Sequence, residues 1–258
     1  MINENVEIDS RVQREQEFHD QRFSNLSTRE KKVGRFYQIT QSVTQYYESF
    51  LQENCQDAIV IEYGCGLWNY ASYLSKNNAK NVIGIDISSV AIDMARQQVQ
   101  EEGMGDNISF QVMNAEDLKF DESSIDLICG AGILHHLNME RAMKSIVKVL
   151  VPKGKAIFVE PLGHNLLINL FRYLTPDVRS EDERPLLDKD LKMLEKYFRK
   201  VEIEYFYFTA LIASFFVGFP GFNLLLKILE FIDKQLFKVP LLQKQAWVIV
   251  IKVSEPIG

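Results

Sequence analysis

The sequence predicts an α/β fold with a mostly parallel sheet, on the basis of its patterning and its composition. Short apolar runs alternate with helical stretches between residues 58 and 160. Strands that alternate with helices form βαβ units, whose right-handed crossovers make neighbouring strands parallel. Apolar residues make up 47% of the 258 residues and charged residues 25%, which is enough for one sizeable core without metal or disulfides.

The predicted elements follow a regular order up to residue 160, after which the alternation stops. The last two predicted strands are separated by about 40 residues, far more than a hairpin loop requires, which indicates a functional insertion. Residues 175–185 are predicted to be a loop. The predicted strands are 58–63, 81–86, 108–113, 125–129, 155–159, 201–208 and 247–253, and the predicted helices are 67–76, 90–101, 139–150, 163–174, 187–197 and 222–238.

The chain divides into two predicted parts. Residues 1–57 are polar with a helical rhythm and are expected to form an N-terminal helical cap segment. Residues 58–258 are expected to form the main domain, with cap insertions at about 161–186 and 209–244. No low-complexity linker or internal repeat interrupts either part.

Charge and cysteine usage restrict the cellular setting. The net charge of −6 disfavours a nucleic-acid partner, because phosphate binding needs a basic surface. The three cysteines, Cys55, Cys65 and Cys129, match no metal-binding spacing, and no signal peptide precedes them. These features favour a reducing, cytoplasmic compartment.

One uncharged segment, residues 205–226, is long enough to span a bilayer. The sequence Gly-Phe-Pro-Gly at 218–221 would interrupt a spanning helix. We therefore expect a strand, a turn and an amphipathic helix that covers a ligand pocket, which favours an apolar ligand. A cap that also enters a membrane surface is the alternative, with Lys227, Lys234 and Lys238 on its polar stripe.

A glycine-containing turn follows the first predicted strand. The sequence Glu62-Tyr63-Gly64-Cys65-Gly66 stands between that strand and the next predicted helix. Glycines here let the backbone turn sharply and approach a ligand closely. A lone Gly-x-Gly is equally consistent with a plain strand-to-helix turn. Glu62 would repel a phosphate but suits a cationic group.

An acidic residue ends the second predicted strand. Asp86 comes 22 residues after Gly64, where a carboxylate can bind both hydroxyls of a ribose. Either Asp86 or Ser88 could cap the following helix, and we expect Ser88 to do so and leave Asp86 free. The two motifs predict an adenosine-containing ligand. A nicotinamide dehydrogenase is disfavoured because Asn69 occupies the position of the third glycine in Gly-x-Gly-x-x-Gly.

Residues 59–160 resemble the class I S-adenosylmethionine-dependent methyltransferases, close to those of ubiquinone and menaquinone biosynthesis. Later motifs at 160–165 and 174–177 resemble a bacterial small-molecule subgroup of that family. The motifs that carry the main resemblance are Glu62-Tyr63-Gly64-Cys65-Gly66, Gly84-Ile85-Asp86-Ile87-Ser88, Asn114-Ala115-Glu116-Asp117-Leu118, Leu134-His135-His136-Leu137 and Leu150-Val151-Pro152-Lys153-Gly154.

The resemblance implies a Rossmann-like, seven-stranded, mostly parallel sheet in the order 3-2-1-4-5-7-6, with helices on both faces and a helical cap. It implies S-adenosyl-L-methionine as the cofactor, with the cofactor and a small-molecule acceptor at the carboxyl ends of the strands. The glycines would lie against the methionine part, Asp86 would hold the ribose, and the segment after the third strand would recognise adenine. The implied cofactor-binding residues are Glu62, Gly64, Cys65, Gly66, Asp86, Ile87, Asn114, Ala115 and Glu116.

Two positions depart from the family pattern. Asn114 stands where an aspartate is common, and it keeps an acceptor oxygen for the adenine amine. Trp68 stands where the family has a third glycine, so its side chain points away from the ligand or the loop is reshaped. Trp68 also leaves open a non-catalytic cofactor-binding protein of the same fold.

Methyl transfer requires alignment of the acceptor and, for a hydroxyl, removal of its proton. His136, His164 and Glu160 are the catalytic candidates, while His135 would point another way. His136 could instead pack against and cap the helix near Asn138, and His164 could fix its loop through a backbone hydrogen bond. No metal is expected, because the spacing of the three histidines and Glu160 matches no ligand pattern.

The sequence therefore predicts a methyltransferase (EC 2.1.1.-) acting on oxygen or nitrogen of a small organic acceptor with an apolar or aromatic scaffold. The alternative within the class is a lipid or quinone methyltransferase at the membrane surface.

Overall fold

In the computed structural model, the described residues are 2–24, 34, 36–66, 69–175, 180 and 182–257, without the side chains of 2–9, 23 and 24. Trp68 therefore lies outside the described residues, as does much of the loop predicted at 175–185.

The predicted sheet is confirmed. Its order is β3-β2-β1-β4-β5-β7-β6, and β7 is antiparallel to both β5 and β6. The other neighbouring strands are parallel. The strands are β1 (Ile59–Tyr63), β2 (Asn81–Asp86), β3 (Ile108–Val112), β4 (Ile125–Ala131), β5 (Leu150–Pro161), β6 (Phe198–Phe206) and β7 (Val248–Pro256).

Three of the described helices begin at a residue whose side chain caps the first turn. The side chains of Ser88, Asn138 and Asn165 each accept a hydrogen bond from a backbone amide three residues later. The helices are α1 (Ile2–Ser24), α2 (Gln41–Asn54), α3 (Ala71–Lys76), α4 (Ser89–Glu101), α5 (Met139–Val149), α6 (Leu166–Leu174), α7 (Asp188–Leu194), α8 (Phe222–Leu236) and α9 (Pro240–Gln243). Within the described ranges, 3-10 helices span Leu134–His136 and Thr209–Phe216.

The core lies on both faces of the sheet, because its central strands are apolar on both sides. In β1, Val60 belongs to one buried cluster and Ile61 to the other. Such double burial is typical of parallel strands covered by helices. α2 enters the first cluster through Val43, Tyr47 and Leu51.

The segment between β6 and β7 is tied down by one buried carboxylate. Asp233 of α8 accepts hydrogen bonds from the backbone amides of Phe208, Thr209 and Ala210 at 2.9, 2.7 and 3.1 Å. The Thr209 hydroxyl donates to the same carboxylate at 2.6 Å. Asp233 thereby caps the 3-10 helix Thr209–Phe216 and fixes it against α8.

The uncharged segment 205–226 is divided among several elements. It runs from the end of β6 through the 3-10 helix into the start of α8. Gly218 and Gly221 both have a φ of +86°, a left-handed conformation that breaks helical continuity. Within the part of the chain that the structure describes, no helix is long and apolar enough to cross a membrane.

Candidate active site

A cavity of about 660 Å³ lies at the carboxyl ends of β1 to β4. All nine residues predicted to bind the cofactor line it: Glu62, Gly64, Cys65, Gly66, Asp86, Ile87, Asn114, Ala115 and Glu116. Four elements that are distant in sequence thus converge on one space, as expected for an open α/β sheet. The individual roles of these residues remain predictions.

The turn after β1 has the backbone geometry that its glycines predict. Gly64 and Gly66 have φ values of +72° and +51°. The amides of Gly64 and Cys65 both donate to the Ile85 carbonyl at 2.9 Å, which fixes the turn against the end of β2. A Cβ atom on Gly64 would stand 2.8 Å from the Ile133 side chain. Glycine is therefore required at this position by both conformation and space.

Asp86 joins the two loops that flank it. One carboxylate oxygen accepts from the Gly66 amide and the other from the Ser88 amide, each at 2.9 Å. Ser88 caps α4 by accepting from the Ala91 amide, as predicted. Asp86 does not cap α4, as predicted, but its carboxylate also holds the glycine turn against the start of α4. Each carboxylate oxygen retains capacity for a further hydrogen bond to a ligand.

Glu62 is a buried carboxylate with one unpaired oxygen. Its Oε1 accepts from the Tyr70 amide at 2.6 Å, while its buried Oε2 has no hydrogen-bond partner. Burial raises the pKa of Glu62 to about 8, and the nearby Asp86 carboxylate adds to this rise. An unpaired buried carboxylate is unfavourable, so this position suits a cationic ligand group.

The segment after β3 is organised by its own side chains. Asn114 Oδ1 accepts from the Glu116 amide at 2.9 Å and closes a local turn. The oxygen that was expected to face adenine is therefore already engaged, although it can accept a second hydrogen bond. Glu116 Oε1 accepts from the Asn138 amide at 2.8 Å and also pairs with Arg11.

His136 is the only one of the three catalytic candidates that lines this cavity. It is buried, and its Nδ1 lies 3.0 Å from Glu15 Oε2. Burial lowers the pKa of His136, while the neighbouring Glu15 acts in the opposite direction. Asn138, rather than His136, caps α5, so the capping alternative for His136 is wrong.

Glu160 and His135 hold the loop after β4. Glu160 Oε1 accepts from the amides of Ile133 and Leu134 at 2.9 and 2.7 Å, and Oε2 lies 2.7 Å from His135 Nδ1. Glu160 is 1% exposed and does not line the cavity. Glu160 was expected on the acceptor side, but both of its carboxylate oxygens bind the loop that carries His136, so this expectation is wrong.

His164 also lies outside the cavity lining. Its Nε2 accepts from the Asp188 amide at 3.3 Å and lies 3.0 Å from Asp188 Oδ1. His164 therefore fixes its loop, as the alternative interpretation predicted. The expectation that it overhangs the reacting centre is wrong.

The cavity wall that the sequence did not predict comes from α1. Arg11, Glu15 and His19 recur every fourth residue, so they share one face of the helix and line the cavity. Arg11 donates to the His136 carbonyl at 2.7 Å. The regular spacing of three ionisable residues on one helix face was the available signal for this wall.

Among the described residues of the two predicted cap insertions, 161–186 and 209–244, none lines this cavity, although Ser180 contacts Glu15 of its wall. The order of the sheet explains the difference, because β6 and β7 lie at one edge while the cavity lies over β1, β2 and β4. The covering element is α1, from the segment expected to be an N-terminal cap.

A family model described as a methyltransferase domain matches residues 61–158. This stretch of the chain is thus similar to methyltransferase domains. The match spans the strands from β1 to most of β5, and so includes the glycine turn, Asp86, the segment after β3 and His136. The family resemblance seen in the sequence is confirmed.

Relatives share this methyltransferase domain with modest identity. The chain is 29% identical over 97 residues to Methyltransferase GfsG of Streptomyces halstedii, covering 37% of this chain and 35% of that protein. It is 29% identical over 108 residues to the chloroplastic tocopherol O-methyltransferase of Arabidopsis thaliana, covering 42% and 31%. The chain thus spans about a third of the length of these relatives.

Solved structures share the fold around the methyltransferase domain. Phosphoethanolamine N-methyltransferase 2 of Haemonchus contortus, in complex with S-adenosyl-L-methionine, is 14% identical, with a TM-score of 0.62 over 93% of this chain and 60% of that chain. Geranyl diphosphate C-methyltransferase of Streptomyces coelicolor A3(2), in complex with Mg2+, geranyl diphosphate and S-adenosyl-L-homocysteine, is 11% identical, with a TM-score of 0.58 over 82% and 80%. At these identities the likeness concerns the fold.

Proposed function

We propose that this protein transfers a methyl group from S-adenosyl-L-methionine to a small organic acceptor. The observation that carries the proposal is the unpaired Glu62 oxygen in a cavity that also holds the glycine turn and Asp86. S-adenosylmethionine has an ammonium group, which fits the buried Glu62 carboxylate, and a ribose, which fits the Asp86 carboxylate. The backbone of the glycine turn can approach the methionine part, which carries the sulfonium, closely.

Each part of the cavity has a proposed task. Glu62 binds the ammonium group, Gly64 and Gly66 let the backbone approach the methionine part, and Asp86 accepts from the ribose hydroxyls. The segment from Asn114 to Glu116 contacts the adenine. The cofactor, when bound, supplies a methyl group that its sulfonium has already activated.

The acceptor is proposed to bind between α1 and the loop after β4. Val12, Ile133 and Leu137 give this part of the cavity apolar walls, which suits an apolar or aromatic scaffold. His136 stands at the same wall, and we assign to it a part in the removal of the proton that leaves an acceptor oxygen or nitrogen. Glu160 and His135 act through the loop by holding His136 in place.

The Asp86→Ala variant is expected to bind both S-adenosylmethionine and its demethylated product more weakly. Each charge-assisted hydrogen bond that is lost should cost roughly tenfold or more in affinity. Isothermal titration calorimetry measures both affinities. Asp93→Ala, a carboxylate on the exposed side of α4, is the matched control and should bind as the wild type does. Wild-type affinity in Asp86→Ala would remove Asp86 from the ribose role.

Methyl transfer itself separates an enzyme from a binding protein of the same fold. Methyl-labelled S-adenosylmethionine and a panel of phenols, amines and quinols should yield labelled product with at least one acceptor. Binding without transfer to any member of the panel would favour the non-catalytic alternative. Absence of cofactor binding would overturn the proposed function as a whole.

A lipid or quinone acceptor at a membrane surface is the second candidate function. Large apolar side chains on the segment between β6 and β7 face solvent, including Phe219 at 64%, Leu224 at 65% and Phe231 at 64% exposure. Lys227, Lys234 and Lys238 lie exposed on or just beyond α8. An apolar face bordered by lysines is typical of helices that bind anionic bilayers.

Co-sedimentation with phosphatidylcholine–phosphatidylglycerol vesicles tests this candidate. The wild type is expected to sediment with the vesicles, and Phe231→Asp should lower the bound fraction severalfold because it places a charge in the apolar face. Met94→Asp, which replaces an exposed apolar residue on α4, is the matched control. An unbound wild type, or equal binding by both variants, would contradict a membrane-surface role.

A further inference from the structure

Three metal-ligating side chains meet at the wall between α1 and the loop after β4. His136 Nδ1 lies 3.0 Å from Glu15 Oε2, and His19 Nε2 lies 3.5 Å from the same oxygen. The three ligand atoms all lie within 4.8 Å of one another. Glu15 and His19 stand one turn apart on α1, so both project from the same face of the helix.

Two of these atoms are buried without a hydrogen bond. Glu15 is 5% and His136 6% exposed. Glu15 Oε2 and His136 Nδ1 form an ion pair at 3.0 Å, but neither atom has a hydrogen bond of good geometry. Buried polar atoms without a well-formed hydrogen bond are rare and unfavourable, and two of them at one point suit the binding of a cation.

The spacing of the atoms suits a metal ion. Zinc binds histidine nitrogen and carboxylate oxygen at about 2.0–2.2 Å, so the ligand atoms of a tetrahedral site lie about 3.4 Å apart. The separations of 3.0 and 3.5 Å lie close to that value. Two histidines with one carboxylate form a donor set of catalytic zinc and of non-haem iron(II) sites.

We propose that Glu15, His19 and His136 bind a divalent transition-metal ion of the zinc class. The Ser180 hydroxyl donates to Glu15 Oε1 at 2.6 Å, which orients the carboxylate from its other side as metal ligands require. The ion joins α1 to the loop after β4 and so closes one wall of the cavity. Its ligands span residues 15 to 136, which is why the sequence predicted no metal.

The ion has a catalytic consequence that rests on the proposed function. All three ligands line the cavity, so the fourth coordination position is open to an acceptor. A hydroxyl bound there loses its proton to solvent, because a divalent metal lowers the pKa of a bound oxygen acid. The resulting oxyanion forms the new O–CH₃ bond as the S–CH₃ bond breaks, and the neutral thioether leaves.

A second group, His135, His136 and Glu183, has similar spacing and shares one ligand. His135 Nδ1 lies 2.7 Å from Glu160, and Glu183 accepts from Arg172 at 2.9 Å. The group on α1 contains both buried atoms without a well-formed hydrogen bond, Glu15 Oε2 and His136 Nδ1, so the observations favour that group. The variants Glu15→Gln and Glu183→Gln distinguish the two groups, because each removes a ligand that belongs to one group only.

The test titrates Zn²⁺ alone into the chelator-treated 258-residue chain by calorimetry. We expect one ion per chain, with affinity lowered at least ~100-fold in Glu15→Gln and in His19→Ala. Glu17→Gln, on the exposed side of α1, and His164→Ala should bind as the wild type does. Co²⁺ should give a visible absorption band in the wild type that is absent in Glu15→Gln.

Three outcomes would overturn the metal site: no stoichiometric binding by the wild type, wild-type affinity in both α1 variants, or a loss confined to Glu183→Gln. Circular dichroism of each chelator-treated variant shows whether it is folded. The cofactor titration with Asp86→Ala remains a separate measurement. Cofactor binding without metal binding would reject this site alone, and metal binding without cofactor binding would reject the proposed function alone.

Discussion

Replacing His136 with alanine is expected to lower turnover by ~10²–10⁴-fold, because proton handling by a positioned group is worth about that much. Affinity for S-adenosylmethionine should change little, since the proposed cofactor contacts come from the ends of β1, β2 and β3. His136 is buried at the cavity wall, where solvent cannot readily replace it. Two measurements on one preparation test this expectation. Single-turnover assays give the rate of methyl transfer, and calorimetry gives the affinity for the cofactor.

His164→Ala is the matched control for this experiment. His164 follows β5 and lies beside Asp188, outside the cavity lining. Its replacement should leave turnover within a few fold of wild type. Full activity in His136→Ala would reject the assignment of His136 and leave alignment of the two substrates as the source of catalysis. Equal losses in both variants would indicate a structural effect.

Cofactor affinity is expected to rise with pH, close to tenfold per unit between pH 6 and 7. The buried Glu62 has its pKa raised to about 8, so the free protein holds this carboxyl largely protonated in that range. The cofactor's ammonium group favours the ionised form, so binding releases a proton. Affinity therefore increases as the pH approaches the pKa of the free carboxyl, and the rise ends above it.

Other titratable groups around Glu62 do not produce the same dependence. Burial raises the pKa values of Tyr47, Cys65 and Tyr70 further above neutrality, so these groups stay protonated between pH 6 and 7. Asp86 stands nearby as a further carboxylate. The contribution of Glu62 is thus isolated by the Glu62→Gln variant.

Calorimetry in buffers of different ionisation enthalpy measures the released proton directly. The wild type should release close to one proton per cofactor at pH 6.5, and Glu62→Gln should release much less. The variant should also lose most of the dependence of affinity on pH. Glu48→Gln, in α2, is the control. Equal proton release by wild type and Glu62→Gln would show that the ammonium group does not bind at Glu62.

The sheet and the cofactor side of the cavity could be predicted from the sequence because both depend on local patterns. Apolar runs identified the strands, and the glycine turn and Asp86 follow directly from the strands that position them. The order of the strands came from the family resemblance. The strand boundaries were less accurate: β5 extends from Leu150, well before the predicted residue 155.

The acceptor side could not be predicted, because it depends on long-range packing. α1 covers the cavity through contacts such as Arg11 with Glu116, which are 105 residues apart. The helical rhythm of residues 1–57 indicates a helix but not its docking position. Glu160 and His164 were assigned to the acceptor side from strand order alone, and their hydrogen bonds to neighbouring loops direct them elsewhere.

The hydrogen bonds of Asp233 have a consequence for how the antiparallel edge of the sheet folds. β6 and β7 are joined by residues 207–247, and closing so long a loop delays strand pairing. We predict that contact between Asp233 and residues 208–210 closes an internal loop early in folding. The remaining connection is then less than half as long, which lowers the entropic barrier to pairing by more than about 0.6 kcal/mol. Asp233→Ala should therefore slow refolding as well as destabilise the edge, which would place this carboxylate in the folding nucleus.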